Sequence, residues 1–346
     1  MNTEHNCIKG WLMEKSRNKK KKRRIMVAII LLFFIFLWLN NTSLFTPRRE
    51  MPYKFLAHRG LAQVFDESKA NWNSNTAEMI ETPTHDYIEN TIPSMKSAFD
   101  LGATAVELDV KLSKDGQLAV FHDSTLLYRC GVKGEVQDYT MEQLKKMDVG
   151  YGYTADGGKT YPLRGKGVGM MPTLNEVLDA FPDKDFVIEI KDGKIETYKV
   201  FWENMSSLAP ERLDKLSVAC SVDEGADYLR SQSKTLKVMS KNSLITALVK
   251  YELIGWSGYI PEEMKNTELR IPLSYAKFLW GWPYKFMERI DGVNTRVELT
   301  AGGSGFSEGF DTIESVSSVS KDFSGFIWTN RINVVNLNTI KNRLEF

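Results

Sequence analysis

Apolar and polar positions along this chain follow two rhythms, preceded by one stretch that has none. That stretch is Ile25–Leu39, an unbroken run that includes Leu, Ile, Phe and Trp and carries no charge. From Tyr53 onward, short β-type runs predict strands at Lys54–Ala57, Thr104–Val110, Leu118–Phe121, Phe186–Ile190, Leu216–Cys220, Leu236–Ser240, Arg296–Leu299 and Gly325–Thr329. Between them, apolar residues recurring at helical spacing predict helices at Ile92–Leu101, Leu174–Phe181, Ile195–Leu208, Glu224–Gln232, Ser243–Leu253 and Tyr275–Ile290. Pro93 and Pro172 stand where two of these helices begin. Eight strands, mostly separated by helices, predict a closed parallel (β/α)8 barrel of the TIM type rather than an open doubly wound sheet. Three long segments interrupt the pattern: Leu61–Ile88, Ser124–Met171 and Gly255–Pro272. Connections of that length are usually functional, and in such a barrel the loops that follow strands build the site at the carboxyl end.

The rhythmless run changes the picture at the N-terminus. Lys19-Lys20-Lys21-Lys22-Arg23-Arg24 abuts it. Fifteen helical residues rise about 22 Å, short of the roughly 30 Å hydrocarbon core, and extension to Phe45 closes the gap. A cleavable signal peptide is the rival reading. The long basic segment before the run, and the lack of a small-x-small site after Leu39, favour an uncleaved signal anchor. The chain then divides into a basic cytoplasmic tail (1–24), a membrane-spanning segment (25–45), a short stalk (46–52) and a barrel domain (53–346) outside the membrane. Charge follows the same division. Residues 1–50 hold eleven Lys/Arg against three Asp/Glu, while the rest hold thirty-four against forty-one, within an overall +1. A mildly acidic domain argues against nucleic acid as a partner. Of the cysteines, Cys7 belongs to the tail. Cys130 and Cys220 match no zinc spacing or disulfide framework and read as two buried thiols.

Candidate chemistry lies where strand-like runs end: His58-Arg59-Gly60, Glu107-x-Asp109, His122-Asp123 and Glu189-x-Lys191. Buried strands rarely carry acids and imidazoles unless these are paired, bind metal or react. Alternation puts Glu107 with Asp109, and Glu189 with Lys191, on one side of their strands, opposite the apolar residues. If the apolar sets face the helices, the polar sets meet inside the barrel at its carboxyl end. Three carboxylates collected there would repel one another without a cation, and such hard oxygen donors suit Mg²⁺ or Ca²⁺.

With these elements in order, the chain resembles the glycerophosphodiester phosphodiesterase family. The matching residues are His58-Arg59-Gly60, Glu89-Asn90-Thr91, Glu107-Leu108-Asp109-Val110, Lys114-Asp115-Gly116, His122-Asp123, Met171-Pro172-Thr173-Leu174-x-Glu176, Glu189-Ile190-Lys191 and Trp328-Thr329-Asn330. The resemblance implies that Glu107, Asp109 and Glu189 hold a divalent metal and that His58 and His122 are general base and acid. It further implies that Arg59 and Lys191 hold phosphate oxygens, that Glu89 lines the pocket and that Trp328 forms an apolar wall. The implied reaction is hydrolysis of a glycerophosphodiester to sn-glycerol 3-phosphate and an alcohol. A lysophospholipase D acting on lysolipids is the alternative, and a catalytically silent binding protein a more distant one. The segment between His-Arg-Gly and Glu-Asn-Thr, carrying Trp72 and His85, is longer than the family's usual dozen residues and bears on substrate size.

Overall fold

The structure, a computed structural model, describes residues 2–47, 52–71, 74–302 and 308–336; Trp72 and residues 303–305 of the glycine-rich Ala301–Gly305 stretch lie outside them. Nine strands form one sheet: β1 (Lys54–His58), β2 (Ala105–Leu112), β3 (Leu118–Val120), β4 (Asp185–Ile190), β5 (Leu216–Cys220), β6 (Lys237–Ser240), β7 (Glu268–Pro272), β8 (Arg296–Thr300) and β9 (Phe326–Thr329). Eight of them run parallel in the order β6-β5-β4-β2-β1-β9-β8-β7. The seam between β6 and β7 is joined just before β7, where Val238 N–H donates to Asn266 O at 3.3 Å and Thr267 Oγ1 to Val238 O at 2.7 Å. The result is a nearly closed TIM-type barrel.

Register sets what faces inward. Leu56 pairs with Trp328 and Ala105, His58 with Glu107, and Asp109 with Glu189. The intervening residues Val106, Leu108, Val110, Phe186, Ile188 and Ile190 are fully buried in the layer between strands and helices. Each such Val, Ile, Leu or Phe stabilises the fold by roughly 1.5–3 kcal/mol. A second apolar cluster holds the long segments in place: Ala77, Ile80 and Ile88 pack with Phe121, Leu126, Leu144 and Tyr153. The described parts of segments 61–88 and 124–171 therefore form a layer packed over the barrel.

Three sequence expectations are corrected. Leu118–Val120 is not a barrel strand; it runs antiparallel to β2 and pairs Val110 with Val120. The eighth barrel strand is β7, inside the segment expected to be loop. Its Glu268 and Arg270 point inward and are buried, so the run Glu-Leu-Arg-Ile-Pro shows no continuous apolar stretch. The helix expected at Tyr275–Ile290 is two, Leu273–Ala276 and Tyr284–Asp291. Between them Gly281 adopts φ +85°, and Pro283 has no N–H to continue a helix.

The N-terminal helix spans Asn2–Asn41, and its Arg17–Asn41 part is long and apolar enough to cross a membrane.

Candidate active site

Four chain segments converge at the carboxyl end of the barrel, and local geometry explains how each arrives. At the end of β1 the backbone turns sharply, with Arg59 at φ +58° and Gly60 at φ +82°. A side chain at Gly60 would meet Ser94 Oγ at 2.6 Å and Met95 N at 2.9 Å, so glycine is required. Arg59 O accepts from Asn90 N, and Asn90 itself lies at φ +59°. Immediately after it, Thr91 caps the helix Ile92–Asp100, accepting from Ser94 N at 3.3 Å. The hairpin β2–β3 returns the chain to the mouth, where Phe121 N–H donates to Asp109 O at 2.9 Å and His122 follows. Part of the recurring pattern is thus structural. Thr173 and Glu176 form the capping box of the helix Leu174–Ala180 and contribute nothing to the cluster.

The acids are the centre of the arrangement. Glu107, Asp109 and Glu189 each offer a carboxylate oxygen within 4.8 Å of the others. Glu107 and Asp109 are 0 % exposed. Neither oxygen of Glu107 accepts a hydrogen bond from any described residue. Burial pushes Glu107 well above the usual carboxylate range, and the charges of Asp109 and Glu189 push it further. Asp109 differs. Burial raises it, but Lys191 (Nζ 3.1 Å from Oδ1) and Arg59 (Nε 3.1 Å from Oδ2) outweigh that and hold it well below. Asn90 Nδ2 also donates to Asp109 Oδ2 at 2.8 Å. Glu189 is ion-paired with Lys191 and, at 3.5 Å, with Arg270; these lower its pKa against the effect of burial. Packed acids with orphaned oxygens fit a divalent cation better than they fit one another.

The two imidazoles have different partners. His58 Nδ1 lies 2.6 Å from Asn330 Oδ1. Asn330 Nδ2 donates to Asp311 Oδ2 at 3.0 Å, which turns its carbonyl oxygen toward His58 and assigns the proton to His58 Nδ1. His58 Nε2 then faces Glu107 Oε2 at 3.8 Å. Beneath the ring lies Trp328, centroid to centroid 4.6 Å and only 1 % exposed, a buried floor that also takes the Arg270 guanidinium 4.3 Å from its ring centre. His122 Nδ1 instead meets a carboxylate, Asp123 Oδ1, at 2.9 Å. Burial lowers both imidazole pKa values, and the Arg59 charge adds to it. Asp123 is raised by burial but brought down to about 2 by Arg129, whose Nε is 3.1 Å away, and by His122.

All nine expected site residues lie around this mouth: His58, Arg59, Glu89, Glu107, Asp109, His122, Glu189, Lys191 and Trp328. Glu89 bonds to Arg59 Nη1 at 2.9 Å and lies 3.2 Å from Arg129 Nη1. His85 lies away from the cluster and anchors the first long segment through Gln63, whose Nε2 donates to the backbone oxygens of His85 and Tyr87. Sequence reasoning missed Arg129 and Arg270, and gave no role to Asn330, which it quoted only within the Trp328-Thr329-Asn330 match. Each touches a site residue, and the buried arginines could have been suspected as charges set within apolar runs. A groove of about 840 Å³ leads from His58 and Arg59 outward between Phe65, Glu67, Glu308 and Asp311. Cys130 and Cys220 are separate buried thiols.

Known proteins share this frame. The profile of the glycerophosphoryl diester phosphodiesterase family matches residues 58–257. A glycerophosphodiester phosphodiesterase of Caldanaerobacter subterraneus is 45% identical over 107 residues, 30% of this chain and 40% of that protein. A lysophospholipase D of Mus musculus is 32% identical over 189 residues, 54% of this chain and 57% of its own. The chain thus spans about half the length of these relatives or less. An Oleispira antarctica phosphodiesterase solved with sn-glycerol-3-phosphate shares the fold at TM-score 0.54 and 16% identity, over 87% of this chain and 98% of that one. With a profile match across more than half of its length, the chain belongs to the glycerophosphoryl diester phosphodiesterase family.

Proposed function

We propose that the protein hydrolyses glycerophosphodiesters to sn-glycerol 3-phosphate and an alcohol, using a divalent cation, Mg²⁺ or Ca²⁺, held by Glu107, Asp109 and Glu189. The observation that carries this reading is the cluster of three acids, Glu107 with neither oxygen hydrogen-bonded, beside two imidazoles with unlike Nδ1 partners. Burial and the Arg59 charge keep His58 neutral, and the amide acceptor fixes its proton on Nδ1 and its lone pair on Nε2, suited to take a proton from the attacking hydroxyl. The carboxylate behind His122 opposes the lowering effect of burial and favours its charged form, suited to protonate the departing alkoxide. Arg59 and Lys191, fixed at the rim of the cluster by Asp109, supply positive charge for the non-bridging oxygens. The cation, when bound, polarises the phosphoryl group and lowers the nucleophile's pKa.

We further infer that residues 25–45 anchor the chain in a membrane, with the basic tail cytoplasmic and the barrel outside. Lysolipid cleavage is the second reading, supported by the similarity to the murine lysophospholipase D. The deciding assay is the full chain in mixed lipid vesicles, given glycerophosphocholine, glycerophosphoethanolamine and lysophosphatidylcholine with and without chelator. Chelator-sensitive release of glycerol 3-phosphate supports the main reading. Release of choline from lysolipid alone favours the second, and turnover indifferent to chelator overturns the metal assignment.

A further inference from the structure

The N-terminal helix is clasped by the barrel. Asn40 and Asn41 each donate through Nδ2 to Trp256 O, at 2.9 and 2.8 Å. Arg289 Nη2 donates to Asn40 O at 2.6 Å, and Ser43 Oγ donates to Gly281 O at 3.2 Å. Further back on the same helix face, Phe33 meets Trp256 edge-on with centroids 5.7 Å apart. Phe33 precedes Asn41 by about two turns, roughly 12 Å of rise. Trp256 therefore lies alongside the apolar run, not beyond its end.

Topology identifies which end of the barrel this is. β6 finishes at Ser240 at the carboxyl end, and the helix Lys241–Ile254 must return to the amino end because β7 runs parallel to β6. Gly255–Ser257 thus sits at the pole opposite His58, Glu107 and Glu189. The surface there is apolar. Leu253 is 69% exposed and Tyr259 52%, Ile254 adjoins them, and Val249 and Ile245 continue the stripe at four-residue intervals along the helix. The Trp256 indole N–H is already bonded, to Leu253 O at 3.1 Å, as an aromatic in an interfacial belt requires.

We infer that the amino-terminal pole of the barrel rests in the interfacial layer of the bilayer crossed by the N-terminal helix, with Trp256 reaching the acyl chains beside Phe33, with Leu253, Ile254 and Tyr259 at the headgroup boundary, and with the catalytic mouth opening away from that bilayer. The inference rests on the anchoring reading. If residues 25–45 cross the hydrocarbon, a ring touching Phe33 is at acyl-chain depth, and the apolar surface continuous with it is covered by lipid. The mouth, a strand length or more away, then receives substrate from the aqueous phase. That geometry suits water-soluble deacylated diesters better than lipids of the anchoring membrane.

The test uses the full chain with Cys7→Ser, reconstituted in phosphatidylcholine–phosphatidylglycerol vesicles and labelled with bimane at Leu253→Cys, Tyr259→Cys or, beside the mouth, Lys69→Cys. All three positions are exposed, so the substitutions spare the fold. Flotation with the vesicles is measured first, then quenching by lipids carrying a nitroxide on the acyl chain. The expected result is flotation of every variant, loss of fluorescence at 253 and 259, and none at 69. Failure to float overturns the anchoring and this inference with it. Flotation with 253 and 259 unquenched, with 69 quenched instead, or with 253 shielded only by a concentration-dependent dimer, overturns this inference and leaves the anchoring intact.

Discussion

The barrel interior holds two groups of buried acids, and they differ in how their charge is met. On the β7–β8 side, Glu298 is ion-paired with Arg270, and Glu268 accepts from Ser217 Oγ. Burial drives Glu298 well above the usual carboxylate range, Arg270 opposes this, and the neighbouring Glu268 pushes it further up. Glu298 Oε2 and Glu268 Oε1 accept nothing from a described residue, yet the cluster is closed in the sense that each acid has one oxygen bonded to a partner. On the β1–β2–β4 side, Glu107 is equally buried and equally raised, yet neither of its oxygens accepts a hydrogen bond from a described residue. The lesson is that buried carboxylates alone do not mark a site. What marks it is a carboxylate with neither oxygen hydrogen-bonded.

The sharpest way to break this comparison is to neutralise one acid on the open side. Glu107→Gln keeps the shape of the side chain and is expected to reduce turnover of glycerophosphocholine by about a thousandfold, roughly 4 kcal/mol of transition-state stabilisation. Far-UV circular dichroism should be unchanged. His58→Ala and His122→Ala should each lose about 10²–10⁴-fold. Steady-state kinetics that leave any of the three within tenfold of the parent would remove that residue from the reaction.

On the closed side the same logic predicts a structural defect. Arg270→Met leaves Glu298 and Glu189 without their shared cation, and removing one partner of a buried ion pair costs about 3–5 kcal/mol. A fall in the urea midpoint measures it, and Arg270→Met combined with Glu298→Gln should recover part of the loss because the two are coupled. An unchanged midpoint in the single variant would mean that the cluster is not held by Arg270.

Why one cluster was legible in the sequence and the other was not has the same cause. Glu107, Asp109, Glu189 and Lys191 interrupt otherwise apolar strands at alternate positions, so parity alone gathers them, and the structure gathers them too. In β7 the inward residues Glu268 and Arg270 are charged and break up Leu269 and Ile271, so Glu268–Pro272 carries no strand signature, whereas β8 is legible as a strand but gives no sign of the partner its Glu298 finds. The eight-strand count was right only because the β3 hairpin strand stood in for β7. Arg129 and Asn330 escaped assignment because their roles depend on partners far along the chain, at Asp123 and His58.

A smaller effect belongs to the support of His122. Asp123→Asn keeps the hydrogen bond but removes the charge, and should lower kcat while leaving KM near its parent value. Its stability signature is separate. The pKa of Asp123 near 2 lies below its unfolded value, so its stabilisation, about 2 kcal/mol, is complete above pH 4 and vanishes as the pH falls through about 2. Urea midpoints of parent and variant should therefore differ at neutral pH and converge in acid. A constant gap would mean that Arg129 does not hold the carboxylate charged.

The smallest expected change is also the one with the most telling sign. With chelator present, Glu107→Gln should stabilise the protein by about 1 kcal/mol, because it removes a buried acid neither of whose oxygens accepts a hydrogen bond from a described residue. The pKa of Glu107 is raised, so the folded state retains a proton that the unfolded chain releases near pH 4.5. The parent's stability is then full below that pH and declines as pH rises toward the folded value, whereas the amide does not titrate. The gap between variant and parent should widen with pH under chelator. Added Mg²⁺ or Ca²⁺ should reverse its sign, since a ligand that binds only the folded parent stabilises it by mass action. Thermal midpoints at two pH values, with and without cation, give four numbers. A parent more stable than Glu107→Gln in chelator would mean that Glu107 has a partner of its own and that the two sides of the barrel do not differ as argued.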